Sequence, residues 1–294
     1  MRKTAFIAIV GRPNVGKSTL LNTILGEKVA IVSKKPQTTR NRITGIYTEG
    51  EEQIVFLDTP GIHKPRTKLG DFMMKTASDT LGGVDAAILV VEAREEVGDI
   101  EKKILSRLKG DEIPAILVIN KIDTVRPENI AKTIAAYAEA FDFDAVIPLS
   151  AKSGKAVDVL ISETRRYLYE GDWFFPEDIV TDQPEKQIAA EIIREKLLRS
   201  LDEEIPHGTA VTIEEWKEKE NLVSIRAEIY CEKASHKGII IGKGGASIKR
   251  IGSHAREDIE KMLDTKVFLD LYVRVKENWR DSNFNINDFG FKEE

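Results

Sequence analysis

Apolar residues follow two different rhythms along the 294-residue chain. In the first half, short unbroken apolar runs recur at Ala5–Val10, Ala86–Val91, Ala115–Ile119 and Ala145–Leu149. Runs of this kind, bounded by glycine, proline or polar residues, predict strands buried on both faces. Between them lie stretches with helical spacing: Leu20–Leu25, Leu69–Leu81, Asp99–Lys109, Pro127–Phe141 and Val157–Tyr169. Gly82-Gly83 and Gly110 stop two of these, and Pro127 suits a first helical turn. Asn41–Thr48 and Gln53–Leu57 flank Glu49-Gly50-Glu51 and predict a hairpin. Helices alternating with apolar strands predict an α/β fold with a mainly parallel sheet covered on both sides.

The second half is patterned differently. Gly171–Pro184 carries Pro176, Pro184 and several acids and reads as a linker over residues 172–185. Trp173, Phe174 and Phe175 are too apolar for a free linker and are expected to pack on one domain. A helix is predicted over Gln187–Leu201, then strands over Thr209–Trp216 and Leu222–Cys231 around the charged turn Lys217–Asn221. Ile239-Ile240-Ile241 runs into Gly242-Lys243-Gly244-Gly245, followed by a helix over Ala246–Leu263 and an alternating strand over Val267–Val275. The pattern predicts two domains, a larger one over residues 1–171 and a smaller α+β one over 186–294. The tail Asn278–Glu294 carries Trp279, Phe284, Phe289 and Phe291, candidates to pack on the second domain.

The predicted strand ends place chemistry on one edge of the sheet, where open α/β sheets bind ligands. Ala5–Val10 breaks into Gly11, Arg12, Pro13, Asn14, Val15, Gly16, Lys17, Ser18 and Thr19, which fits G-x-x-x-x-G-K-[ST]. Glycine lets the loop amides turn inward, and the following helix adds its positive end, so the loop cradles phosphate. Lys17 reaches the β- and γ-phosphates, and the Ser18 hydroxyl can ligate Mg²⁺. In the polar stretch Lys28–Arg42, Thr38 and Thr39 are the candidates to complete the Mg²⁺ shell. Gln53–Leu57 ends in Asp58, Thr59, Pro60 and Gly61. A carboxylate there can hold Mg²⁺ through water, and the Gly61 amide can meet a γ-phosphate. Ala115–Ile119 ends in Asn120-Lys121-Ile122-Asp123, and Ala145–Leu149 ends in Ser150-Ala151-Lys152. Guanine presents two donors on one edge, which the Asp123 carboxylate accepts as a pair, whereas adenine would face it with a lone pair. Asn120 can bond the other edge of the base, the Lys121 stem can lie on the ring, and the Ala151 amide can reach O6.

Composition narrows the partners. The net charge is −5 with 32% charged residues, so any nucleic-acid contact must be a local basic patch. The single Cys231 leaves no intrachain disulfide and suits a reducing compartment. The four histidines are scattered without zinc spacing. The amino terminus is consumed by the first strand and does not read as a signal peptide. No apolar run approaches the roughly 20 residues that span a bilayer.

Taken as an ordered set, GRPNVGKS, DTPG, NKID and SAK resemble the motifs of translation-factor-related GTPases. With QTTRNR and the second half, they resemble the Era-like family over essentially the whole chain. IIIGKGGASIKRI resembles a KH domain of the prokaryotic type, in which the Gly242–Gly245 turn lets a sugar-phosphate backbone approach closely. The candidate RNA contacts are Ile241, Gly242, Lys243, Gly244, Gly245, Lys249 and Arg250. The resemblance implies a switch that binds GTP/GDP with Mg²⁺ and hydrolyses GTP. Lys17, Thr39 and Gly61 would stabilise the phosphates, with Ser18, Thr39 and Asp58 around the metal. It further implies single-stranded ribosomal RNA at the 3′ end of the small-subunit RNA, a role in maturation of the small ribosomal subunit, and a cytoplasmic protein. DNA is not an expected partner; the resemblance leaves room for a peripheral contact with the inner face of the membrane, for which no amphipathic basic helix in the sequence argues strongly. Ile62 stands where Ras-like proteins carry glutamine, and a branched alkyl group cannot orient water. In relatives the residue at Asn14 holds K⁺ near the phosphates; Asn14 as an ordinary turn residue fits equally well. A second reading keeps the nucleotide site but makes the KH fold a scaffold for protein or membrane docking.

Overall fold

The computed structural model describes residues 1–291. The last three positions of the predicted tail lie outside the described residues. The chain falls into two compact units. The first comprises residues 1–30, 39–65 and 73–182; the second comprises 31–38, 66–72 and 183–294. Two short stretches of the first half, 31–38 and 66–72, thus pack with the carboxyl-terminal unit.

The first unit is built on strands β1 (Lys3–Val10), β2 (Ile43–Glu49), β3 (Glu52–Asp58), β4 (Ala86–Glu92), β5 (Ala115–Asn120), β6 (Ala145–Pro148) and β7 (Tyr169–Glu170). Its helices are α1 (Lys17–Leu25), α3 (Asp99–Gly110), α4 (Pro127–Ala140) and α5 (Val157–Thr164), with α2 (Lys68–Asp79) shared between the units. The strand order is β2-β3-β1-β4-β5-β6. All pairs are parallel except the β2–β3 hairpin and the short β7, which lies antiparallel to the start of β1. Residues alternate between two cores. Ile7, Ile9, Phe56, Ile88, Val90 and Val118 face Leu20, Leu21 and Leu160 on one side. Ala8, Val10, Leu89, Val91 and Leu117 face Ile104, Leu108 and Tyr137 on the other. Burial on both sides is why these strands read as continuous apolar runs.

The predicted helix over 157–169 is shorter than expected. It gives way at Arg165 to a tight turn, and Tyr169–Glu170 pairs with Thr4 and Lys3 at the part of β1 that β4, which joins it only from Ile7, leaves open. The aromatic stretch after it packs on the first unit. Phe174 stacks edge-on against Phe6, Arg2 lies over Trp173, and the Gln53 amide bonds the backbone of Phe174 and Phe175.

The second unit holds α6 (Glu185–Ser200), β8 (Ala210–Lys219), β9 (Leu222–Cys231), α7 (Ala234–Ile241), α8 (Ala246–Leu263), β10 (Lys266–Val275) and α9 (Asn283–Asp288). β9 lies at the centre, antiparallel to β8 and parallel to β10. Ile192, Leu197, Ile251 and Ile259 cover the face formed by Val223, Ile225, Ala227, Ile229 and Val273. The charged residues Lys217–Lys219, expected in the turn, instead extend β8, because a half-exposed antiparallel ladder accepts polar residues on its open face. In the tail, Trp279 is buried and donates to the Gly208 carbonyl at 2.9 Å, with Phe289 and Phe291 against its ring. Phe284 stays exposed.

Candidate nucleotide site and nucleic-acid interface

Most candidate nucleotide residues of the first unit lie at a strand end or in the loop that extends it; Lys17, Ser18 and Thr19 open α1, and Thr39 lies in the loop before β2. The loop after β1 needs its glycines. Gly11 sits at φ +147° and Gly16 at φ +101°, and a Cβ at either would fall 2.4 Å from the Val90 carbonyl oxygen or 2.3 Å from Asn120 Nδ2. Gly61 approaches the same loop, with space for a Cβ only 2.6 Å from the Pro13 backbone, and the next amide, of Ile62, donates to the Gly11 carbonyl at 3.1 Å. Asn14 takes φ +65° at the exposed tip. Arg12 is drawn away to pair with buried Glu101.

Inside the loop, Lys17 is buried and its Nζ donates to the Gly11 and Arg12 carbonyls at 3.1 and 3.0 Å. Burial pulls its pKa down to about 8, against the attraction of Asp58. Asp58 is fully buried at the end of β3, and burial pushes its carboxyl up to about 6 against the pull of Lys17 and the Ser18 hydrogen bond. Ser18 Oγ donates to Asp58 Oδ2 at 2.6 Å and lies 2.8 Å from Thr39 Oγ1. Asp58 Oδ1 is buried with no hydrogen-bond partner among the described residues. An orphaned carboxylate oxygen beside two converging hydroxyls is an incomplete shell with the hard oxygen donors that suit Mg²⁺. Among the described residues no cluster of three or more His, Cys, Asp or Glu forms a metal site. Of the two candidate threonines, Thr39 faces this trio, whereas Thr38 Oγ1 donates back to the Lys35 carbonyl at 2.7 Å. Thr59 anchors its hydroxyl on the Ile9 carbonyl at 2.9 Å and shapes the strand end.

The base-reading residues are organised by Asn120. Its Nδ2 donates to the Val15 carbonyl at 2.8 Å, and its Oδ1 accepts from the Lys121 and Ala151 amides at 2.8 and 2.9 Å. Asn120 therefore pins the phosphate loop to the NKID and SAK turns, and the Ala151 amide expected to meet guanine O6 is engaged with it. Lys121, at φ +62°, spans the loop by donating to the Asn14 carbonyl at 2.6 Å and pairing with Glu92. Asp123 is exposed, and Ser150 Oγ donates to its Oδ1 at 2.7 Å. That hydrogen bond, with Lys152 and Lys121 nearby, holds the carboxyl below the usual range, so it is an acceptor at neutral pH. Glu92, Glu101 and the linking role of Asn120 lie too far apart in sequence for spacing to reveal them.

In the second unit, α7 ends at Ile241, which packs on the core, and the chain turns through Gly242, Gly244 and Gly245 at φ +74°, +60° and +79°. A Cβ at Gly242 would meet Ser247 at 2.7 Å, while Gly244 and Gly245 have nothing within 4 Å. The turn is therefore tight on its inner side and open on its outer side. Lys243, Lys249 and Arg250 are all exposed beside it.

Comparison with known proteins settles the family. Residues 6–121 match the family described as 50S ribosome-binding GTPase, and residues 204–280 match the KH domain family. GTPase Era of Ruminiclostridium cellulolyticum is 50% identical over 291 residues, covering 99% of this chain and 98% of that protein. The chain belongs to the Era GTPase family. Two solved Era structures match at TM-score 0.95 and 39% identity over essentially full length. One is in complex with MgGDPNP and nucleotides 1506–1542 of 16S ribosomal RNA; the other is a point variant of Aquifex aeolicus Era bound to GDP·AlF4⁻. Family membership makes the chain a GTPase with a guanine-nucleotide site, on a P-loop GTPase fold followed by a KH domain. Ile62, the residue after DTPG, packs on the core. Era membership and the resemblance drawn from the four motifs agree.

Proposed function

We propose that this GTPase is a switch whose KH domain binds the single-stranded 3′ end of small-subunit ribosomal RNA during maturation of the small ribosomal subunit in the cytoplasm. The observation that carries the RNA reading is the Gly242–Gly245 turn, open outward with Lys243, Lys249 and Arg250 exposed around it. Full-length likeness to an Era captured with that RNA segment supports the choice of ligand. The proposed domain bounds are residues 1–171 for the G domain and 186–294 for the KH domain with its tail, although segments 31–38 and 66–72 cluster with the second unit and residues 172–182 with the first.

Ser18, Thr39 and Asp58 would hold Mg²⁺, which when bound neutralises charge between the β- and γ-phosphates. Lys17 adds its ammonium to the same phosphates, and the loop amides between Gly11 and Thr19 cradle them. Asp123, held by Ser150, reads the guanine edge. Asn120 keeps that reading edge in register with the phosphate loop. Ile62 offers no hydrogen bond to the attacking water, so orientation of that water comes from elsewhere. Asn14, at the exposed tip, would hold K⁺ beside the phosphates. Among the described residues no helix is long and apolar enough to cross a membrane.

The test replaces Lys243 and Gly244 together by Asp. A side chain at Gly244 would strike nothing within 4 Å, and Asp tolerates the left-handed backbone there better than most residues. Two carboxylates would then face the phosphate backbone. Titration with a single-stranded oligonucleotide of the 16S 3′ end at constant salt should show near-complete loss of affinity with GTP binding retained. A folded double variant that holds RNA as tightly as the parent refutes the interface.

A further inference from the structure

We propose that Glu101 is a positioning residue for GTP hydrolysis, fixing the Arg12–Pro13 peptide of the phosphate loop through the Arg12 side chain. Glu101 lies in the first turn of α3, within the first unit, and its Oε1 accepts from Arg12 Nε. The Glu101 side chain is 1% exposed and that of Arg12 23%. Gly98, which precedes α3, leaves the pair its space. A Cβ there would fall 2.6 Å from Glu101 Oε2 and 3.0 Å from Arg12 Nη2. Tyr137, buried on α4, lies within reach of the same carboxylate. Burial first, and then the charge of Glu101, pushes its phenol pKa up.

A buried carboxylate is costly unless paired, and only one oxygen of Glu101 is engaged by Arg12. Oε2 is buried with no hydrogen-bond partner among the described residues. The positive end of α3 lessens the cost, but an apolar residue would join the helix to the loop without it. What the pair adds is direction. The Arg12 carbonyl and the Pro13 nitrogen share one planar peptide. The carbonyl accepts from Lys17 Nζ at 3.0 Å. The nitrogen and Cα of Pro13 abut Gly61, where a Cβ would fall 2.6 Å from each. One peptide plane thus carries both the acceptor that holds the Lys17 ammonium and the wall against which Gly61 packs. Proline has no N–H, so the loop cannot anchor this plane through an amide of its own. The Arg12 side chain is its tether to α3. A turn of the plane would displace Lys17 and Gly61 together, and a misplacement of about 1 Å at reacting groups costs about 100-fold in rate.

The inference rests on the reading of Lys17 and Gly61 as contacts to the β- and γ-phosphates, and the experiment separates the two. Glu101→Gln, Glu101→Asp, Arg12→Gln, the double variant Glu101→Gln/Arg12→Gln and Lys17→Ala are compared with the parent as full chains. Single-turnover hydrolysis of bound GTP is measured at saturating Mg²⁺, beside the affinities for GDP and for a non-hydrolysable GTP analogue. Glu101→Gln should slow hydrolysis about 10- to 100-fold and weaken binding of the GTP analogue. It should leave GDP affinity close to the parent's, because GDP has no γ-phosphate for Gly61 to meet. Glu101→Asp keeps the charge one methylene short of the guanidinium and should fall between. It carries the same comparison should the glutamine variant fail to fold. In the Arg12→Gln background, where the tether is already cut, Glu101→Gln should add nothing to the loss. Three results each overturn the proposal while the phosphate reading stands: parent-like hydrolysis in both Glu101 variants, a GDP affinity that falls as far as the hydrolysis rate, or an undiminished effect of Glu101→Gln in the Arg12→Gln background. Parent-like hydrolysis and GTP-analogue affinity in Lys17→Ala overturn both.

Discussion

Replacing Asp58 by Asn should make the nucleotide-free protein more stable while destroying its metal-dependent grip on GTP. Asp58 is fully buried, and its carboxyl is raised from an ordinary 3.8 to about 6. A raised carboxyl means that the folded state binds more protons than the unfolded state between those two values. Stability contributed by this group is therefore full below about pH 4 and falls as pH rises toward about 6. At about 1.36 kcal/mol per tenfold, the ionised carboxylate costs the folded state about 3 kcal/mol at pH 7. Asn keeps an oxygen for Ser18 Oγ and removes the charge. The cost at pH 7 already includes the attraction of Lys17, and Asn still has a polar amide to bury in place of the carboxyl, so about 3 kcal/mol is the ceiling of the gain and about 1–2 kcal/mol is the expected value. Calorimetry of protein stripped with EDTA, following the transition that GDP shifts, should show that gain at pH 7, and it should shrink to nothing by pH 4. The same variant should lose the Mg²⁺ dependence of GTP-analogue binding. A variant no more stable than the parent at pH 7, or one whose gain persists on acidification, contradicts the burial argument.

Asp123→Asn should turn one hydrogen bond at the base edge around. We expect a loss of about 1–3 kcal/mol in GTP binding and a gain of xanthosine triphosphate, measured by competition against a fluorescent nucleotide; unchanged GTP affinity would remove Asp123 from the base site. Asn14→Ala should abolish any acceleration of turnover by K⁺ over Na⁺, read by phosphate release in matched salts, and equal parent rates in the two salts leave Asn14 as a turn residue.

The architecture was legible where burial is two-sided. Ala86–Val91 and Ala115–Ile119 carry apolar side chains on both faces, so their runs announce strands without any partner in view. Tyr169–Glu170 could not be read this way, since two residues become a strand only because β4 leaves Lys3 and Thr4 of β1 open beside them. Lys217–Lys219 looked like a turn for the opposite reason: β8 has an open face, and charge is tolerated there. At the site, residue types and spacing announced the phosphate loop, DTPG and NKID, because phosphate, metal and guanine each demand a small set of donors and acceptors. Long-range pairing is beyond the reach of spacing. The choice of Thr39 over Thr38 depends on which hydroxyl turns toward Ser18. The structural duty of Asn120 depends on Val15 and Ala151 meeting it from opposite sides. The helix over Gln187–Leu201 was legible from its spacing, but that Arg194 and Glu195 on it are buried emerges only from the packing of segment 31–38 on it.

Above all, nucleotide in the first unit is expected to govern RNA held by the second. The most direct measurement is the affinity of the full chain for an oligonucleotide of the 16S 3′ end, by fluorescence anisotropy at one salt concentration, with saturating non-hydrolysable GTP analogue and then with GDP. Coupling between sites is typically worth about 1–3 kcal/mol, so RNA should bind at least about fivefold more tightly with the GTP analogue. Equal affinity in the two nucleotide states would contradict the switch.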